Sequence, residues 1–216
     1  MPAAPLTPAQ ALLFGEDPLA LPEGLRYEVG FLSPAEEAAL LRAIEALPLE
    51  PMRYKDYTAR REVLSYGGSY DFAAGRLDDA PELAPALHPL RARVAAWLGV
   101  PEAALAHVLV ARYSEGTPLG WHRDVPEFED VVGVSLGGEA LMHFRPWPPR
   151  EPRRADVRKL LIAPRSIYLM RGPARWEWQH SVAPVAALRY SITFRTRRRK
   201  DPARRVSDLS PPANAP

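Results

Sequence analysis

The stretch LGWHRD, residues 119–124, sets a histidine and a carboxylate two positions apart, His122 and Asp124. A third candidate ligand, His180, stands far downstream in WQHSV, and Arg189 and Arg195 bracket a strand-like run in RYSITFR. Two imidazoles and one carboxylate on one face of a ferrous ion leave coordination positions open for a co-substrate and oxygen. A buried arginine nearby can clamp a dicarboxylate co-substrate through a two-pronged pair. The same ligands also accept Mn, Co or Zn, and a lone His-x-Asp is a common surface tripeptide. His88, His107 and His143 have no carboxylate two residues away and read as ordinary histidines.

Those residues need elements to hold them. Positions i and i+2 of an extended chain point the same way, so His122 and Asp124 can share one ion if their segment is extended or just leaving a strand. His180 must then be brought over by strand pairing. From Leu105 onward the chain reads as β. The strands expected are Ala106–Arg112, Val131–Leu136, Ala140–Phe144, Arg158–Leu161, Ser166–Met170, Ser181–Val182 and Tyr190–Arg197, separated by turn residues at short intervals. That spacing is the pattern of a sandwich or small barrel and not of βαβ units.

The helices come earlier. Ser33, Pro34 and Glu36 form a capping box for a helix over Pro34–Leu47, with Ala39, Leu40, Ala43, Ile44 and Leu47 as its apolar stripe and Pro48 as its stop. A second helix is expected over Pro81–Leu98, with Val94, Trp97 and Leu98 facing the core and Gly99 as its C-cap. Leu25–Phe31 alternates as a strand, and Met52–Tyr70 reads as two strands around Gly67-Gly68. The fold class expected is mainly β with flanking helices. The domain reading is an arm over residues 1–24, one domain over 25–200 and a disordered tail over 201–216.

Composition bounds the function. With 216 residues and 47% apolar content the chain can build one sizeable core. It has no cysteine, which excludes disulfides, thiolate metal sites and a cysteine nucleophile. No apolar run is long enough to span a bilayer and the N-terminus lacks a secretory pattern, so a cytoplasmic monomer is expected. The net charge is only +2, yet seven basic residues against one acid crowd positions 195–205. That run is either a phosphate-facing patch or a solvated tail. Arg53, Tyr54, Tyr57, Arg61, Tyr66 and Trp178 are the residues expected to face a substrate, by phosphate contact and base stacking. An ordinary amphipathic hairpin would carry the same residues on its wet face, and Trp147, Trp176 and Trp178 could be core or rim aromatics. The modest charge keeps a protein or small-molecule substrate open.

Taken together, ARYSEGTPLGWHRD, VVGVSLGG, PRSIYLMRGPARWEWQHSV and RYSITFR resemble the AlkB-like branch of the Fe(II)/2-oxoglutarate-dependent dioxygenases. The resemblance covers roughly Phe31 to Arg197. It implies a double-stranded β-helix, or jelly roll, with flanking helices. It implies Fe(II) held by His122, Asp124 and His180, with 2-oxoglutarate and O2 as co-substrates. It implies that Arg189 pairs with the distal carboxylate of 2-oxoglutarate, that Arg195 lies near its keto-acid end or near the iron ligands, and that Tyr113 donates a hydrogen bond to it. The expected activity is hydroxylation or oxidative demethylation, with alkylated nucleic acid as the leading substrate. The alternatives are a protein or small-molecule hydroxylase, a non-catalytic nucleic-acid-binding jelly roll, and a cupin-like enzyme without 2-oxoglutarate. Two positions depart from the family pattern, which often has Asn where this chain has Ala111 and Ser191.

Overall fold

The computed structural model describes residues 21–54, 57–67, 69–71, 76–78, 81–149 and 156–198. Of the expected N-terminal arm only residues 21–24 are described, and the expected tail lies outside the described residues. The strands are β1 Leu25–Glu28, β2 Glu50–Tyr54, β3 Tyr57–Tyr66, β4 Ser69–Asp71, β5 Arg76–Asp78, β6 Leu105–Tyr113, β7 Leu119–His122, β8 Phe128–Gly137, β9 Ala140–Pro146, β10 Arg158–Ile162, β11 Ser166–Met170, β12 Trp178–Val182 and β13 Arg189–Arg197. The helices are α1 Pro34–Glu45, α2 His88–Leu98 and the single turn α3 Pro173–Trp176.

Two antiparallel sheets make the jelly roll. The larger runs β1-β11-β8-β13-β6-β3-β2, and the smaller runs β10-β9-β12-β7. One core lies between them, joining Ala111, Tyr113, Val131 and Tyr168 of the large sheet to Met142, Phe144, Leu160 and Val182 of the small one. A second core lies on the other side of the large sheet. There Val108, Val110, Val132, Val134, Ile192 and Phe194 meet Leu40 and Ile44 of α1 and Leu90 and Val94 of α2. Both faces of the large sheet are therefore covered, which is why β8 is buried along nearly its whole length.

Side-chain alternation then sorts chemistry from packing. Along β13, Tyr190, Ile192 and Phe194 belong to the helix-side core. Arg189, Ser191, Thr193 and Arg195, on the alternate positions, point into the barrel, in register with Tyr113, Ala111, Leu109 and His107 of β6.

The capping box of α1 is formed: Ser33 Oγ accepts from the Glu36 amide at 3.2 Å and Glu36 Oε2 accepts from the Ser33 amide at 2.8 Å. The helix stops at Glu45, two residues early, and its inward face holds Glu37, Leu40 and Ile44 while Ala39 is exposed. Glu37 is a buried acid that sequence reasoning did not place. It accepts from the Gly137 amide at 2.9 Å and pairs with Arg165 at 2.8 Å, so the helix side chain caps the end of β8. The second helix starts at His88, not Pro81. Pro85 opens a short 3-10 turn over Pro85–Leu87 instead, since prolines at 81, 85 and 89 remove backbone donors from the expected first turns. Gly99 ends it as expected, in the left-handed region at φ 74°. The basic, aromatic segment holds one turn more than expected: β2 pairs with β3, which runs unbroken to Tyr66, and Gly67 turns only after that.

Candidate metal centre

β7 is only four residues long and was not foreseen as a strand, yet it places the first ligand. It pairs with β12 so that His122 stands directly opposite His180. Asp124 follows two residues beyond the strand end. The result is one cluster, His122, Asp124 and His180, whose ligand atoms all lie within 4.8 Å of one another. Residues 58 positions apart in sequence meet here because the small sheet closes over them, as its register requires.

Two of the three candidate ligands, His122 and Asp124, are held by a neighbour. The Nδ1–H of His122 donates to the Gly120 carbonyl at 2.8 Å, which leaves Nε2 as the ligand atom. Asp124 Oδ1 accepts a hydrogen bond from Arg195 Nε at 2.8 Å and lies 2.6 Å from Arg195 Nη2 in the same ion pair. Its other oxygen, Oδ2, lies 3.7 Å from His180 Nε2. Burial would raise the Asp124 carboxyl, but Arg195, His180 and Arg175 together hold it well below the usual carboxylate range. Burial pushes His180 down to about 3, helped by His122 and opposed by Asp124, and it pushes His122 down as well. Two neutral imidazoles and one ionised carboxylate are the protonation states a divalent metal needs. The donor set, the convergent atoms and the fixed tautomer fit Fe(II) and the other metals that favour N and O ligands.

Arg189 is 1% exposed, inside the barrel. Its Nε donates to Ser135 Oγ at 3.0 Å, and its guanidinium stands 5.0 Å from the centre of the Tyr113 ring. Small residues surround it: Ala111, Ser135 and Ser191 occupy one register row across β6, β13 and β8. The two departures from the family pattern, Ala111 and Ser191, are thus direct cross-strand partners beside the arginine. Arg195 lies against the ligands, one of the two places expected for it.

Of the residues expected to face substrate, Arg53, Tyr54 and Tyr57 have side chains outside the described residues. Arg61 shares the barrel face of β3 with Val63 and Ser65, close enough to the centre for its charge to bear on His122. Its Nη2 meets Met52 Sδ at 2.8 Å, while its buried Nε has no hydrogen-bond partner. Tyr66 is a correction: it is 4% exposed and belongs to the helix-side core, an odd number of residues away from Arg61 and so on the opposite face. Trp178 lies on the face of β12 that carries His180 and packs against the inter-sheet core.

Three contributors escaped sequence reasoning. His107, read as ordinary, is 5% exposed and its Nδ1 sits 3.1 Å from Arg195 Nη1. The signal was there: His107, Ala111 and Tyr113 alternate onto one face of β6. Arg175 is 2% exposed, and its Nη2 donates to the carbonyls of Asp124, Val125 and Phe128 at 3.1, 2.7 and 3.0 Å. It pins the loop that carries the carboxylate ligand, and nothing in the RGPARW spacing marks it. Tyr168 lies flat over Gly133, where an added Cβ would stand 2.2 Å from its ring.

The comparisons agree with this geometry. The family model described as "2OG-Fe(II) oxygenase superfamily" matches residues 24–198. An Arabidopsis thaliana protein named "Alkylated DNA repair protein ALKBH8 homolog" is 28% identical over 173 residues, covering 70% of this chain and 48% of that protein. A Xenopus tropicalis protein named tRNA (carboxymethyluridine(34)-5-O)-methyltransferase alkbh8 is 27% identical over 171 residues, covering 76% of this chain and 26% of that protein. An uncharacterised protein of Acanthamoeba polyphaga mimivirus is 30% identical over 104 residues, covering 41% of this chain and 46% of its own length. The chain spans half or less of the length of these curated relatives. Among solved structures, OsALKBH1 shares the fold with a TM-score of 0.63 at 16% identity, covering 82% of this chain and 98% of that one. A Pseudomonas putida prolyl-4-hydroxylase shares it at 0.54 and 15% identity, covering 85% and 96%. With the jelly roll, the His-Asp-His cluster and a family match over most of its length, the chain belongs to the 2OG-Fe(II) oxygenase superfamily, whose chemistry runs on Fe(II), 2-oxoglutarate and O2.

Proposed function

We propose that this chain oxidatively dealkylates or hydroxylates an alkylated nucleic acid. The observation that carries the reading is the convergence of His122, Asp124 and His180 in the same barrel interior as the buried Arg189. The two relatives named for alkylated DNA repair and for a tRNA reaction favour nucleic acid over protein or a small molecule.

In this reading His122, Asp124 and His180 hold the iron. When bound, Fe(II) with 2-oxoglutarate and O2 supplies the oxidation of a substrate C–H bond, with succinate and CO2 as co-products. The residues of the chain bind, orient and exclude water. Arg189 presents a planar, permanently charged fork to the distal carboxylate of the keto acid, which a lysine would match less well. Tyr113 stands beside it to donate a hydrogen bond to the same co-substrate. Arg195 keeps the Asp124 carboxylate turned toward the two imidazoles, and Arg175 keeps its loop in place. Burial, opposed by Arg189, pushes the Tyr168 phenol up to about 12, so it stays a neutral hydrogen-bond donor at any working pH. Met142, Phe144 and Val131 make the apolar walls. Arg61, half-buried on the barrel face of β3, is in this reading the cation of that strand that meets a substrate phosphate.

A methyl group on a base nitrogen would leave as formaldehyde once hydroxylated. The test is incubation of Fe(II)-loaded protein with 2-oxoglutarate, oxygen and oligonucleotides carrying N-methylated bases. Formaldehyde and succinate released in equal amounts are the expected result. Succinate release that no methylated oligonucleotide raises above background would contradict the nucleic-acid reading. A cytoplasmic setting and a role in repair are part of the same proposal; among the described residues no helix is long and apolar enough to cross a membrane.

A further inference from the structure

The small sheet has a second face. His122, Phe144, Leu160 and His180 turn into the barrel, so the alternate residues of the same strands turn outward: Trp121 of β7, His143 and Arg145 of β9, Lys159 of β10 and Gln179 of β12. Here Arg145 stacks over Trp121 at 4.4 Å and donates its Nε to Gln179 Oε1 at 2.8 Å. The Trp121 and His143 rings lie 6.3 Å apart, and Lys159 stands opposite His143 in register. Just past the strand ends the pattern repeats in reverse. Arg123, two residues after Trp121, stacks over Trp147, two residues after Arg145, at 4.8 Å, and also donates to the Trp176 carbonyl at 3.1 Å. Two strands thus exchange arginines and tryptophans across β12. None of the residues in β7, β9, β10 and β12 is Asp or Glu, although acids nearly balance bases over the whole chain. Trp121, His143, Arg145 and Trp147 are half-buried, leaving part of each ring or fork at the surface, and Lys159 is exposed.

Flat rings interleaved with cations, on strands that carry no carboxylate, suit a polymer whose units offer both a π-face and a phosphate. Bases of any sequence stack on such aromatics, while the cations follow the backbone. An acidic peptide would use the charge and leave the rings unexplained. We propose that this outer strip, centred on Trp121 and Arg145, is a docking platform for the single-stranded polynucleotide that flanks the reacting nucleotide. The inference rests on the nucleic-acid reading above. Position supports it: Trp121 and Arg123 flank His122 at the end of the edge strand β7, so a strand leaving the centre over β7 meets the strip at once.

The test is binding of the full chain to three labelled probes, measured by fluorescence anisotropy over a salt series. One is a single strand of about fifteen nucleotides, within the usual reach of one such platform. The second is a trinucleotide, and the third is the long strand with its bases removed. For Arg145→Gln and for Lys159→Glu, whose side chain is exposed, the long strand should bind about tenfold more weakly. The salt slope should fall by about 0.7 per lost phosphate contact. Trinucleotide affinity should hold, and wild-type tryptophan fluorescence should be quenched only by strands that carry bases. Equal long-strand affinity in wild type and both variants would overturn the platform, as would equal binding of the base-free strand. If methylated trinucleotides are turned over while either of those results is found, the platform alone falls. If the wild type neither binds nor turns over any oligonucleotide, the nucleic-acid reading falls and takes the platform with it.

Discussion

Arg195 shows how much of the centre is built by residues that are not ligands. It hydrogen-bonds Asp124 through Nε, pairs with the same oxygen through Nη2, and meets His107 through Nη1. Partners of this kind typically set metal affinity by about 10–100-fold. Arg195→Gln should weaken Fe(II) or Co(II) binding by that factor, read by titration of the Co(II) visible absorbance, and an unchanged affinity would remove Arg195 from the support of the carboxylate. Arg189→Lys should raise the 2-oxoglutarate requirement about tenfold to hundredfold with little change in metal affinity, because a hydrogen bond to a charged group is worth about 1.5–3 kcal/mol. Tyr168 gives a pH dependence. Its phenol is raised in the fold to about 12 from an ordinary value of about 10. The folded state therefore holds this proton more tightly than the unfolded chain. The associated stability is complete below about pH 10 and is lost as pH rises toward 12. Tyr168→Phe should flatten the loss of stability across that window in alkaline denaturation curves. A wild-type slope in the variant would show that the group does not titrate with unfolding.

Sequence legibility divides at the scale of the element. The candidate metal cluster was legible because metal chemistry limits which residue types and spacings can form one, and the longer strands because apolar alternation repeats over many residues. β7 could not, since four residues ending in the ligand itself carry no periodic signal. The helix start at His88 was obscured by prolines, and Arg175 and Glu37 by the fact that a buried charge is defined by its tertiary partners. Tyr66 was misassigned because an aromatic next to a turn looks alike on either face; only strand register tells them apart. Gly133 is the clearest case of a backbone position set by a distant side chain. In Gly133→Ala the added methyl would overlap the Tyr168 ring, so the ring must move. Overpacking of this kind costs about 1–3 kcal/mol. Thermal and denaturant unfolding should show that loss, relieved in the double variant with Tyr168→Ala. No loss in the single variant would mean that the ring is not held against β8.

At the scale of the molecule, the large sheet divides two tasks between its faces. One face rests on α1 and α2, and the other carries the arginines and tyrosines of the site. Damage to the helix side should therefore reach stability before chemistry. Ile44→Ala, at a position with no exposure, should cost about 2–5 kcal/mol while the protein that remains folded keeps its metal affinity. The small sheet divides likewise, with ligands inside and the arginine–tryptophan strip outside. The claim on which all of this depends is that one barrel interior holds both iron and the keto acid. Anaerobic titration of Fe(II)-loaded protein with 2-oxoglutarate tests it most directly, through the visible charge-transfer band that arises when both are bound together. The account predicts a band in wild type, its loss in His122→Ala, and a shift of its midpoint to higher 2-oxoglutarate in Arg189→Lys. Folded, iron-loaded wild-type protein that shows no band at saturating 2-oxoglutarate would contradict it.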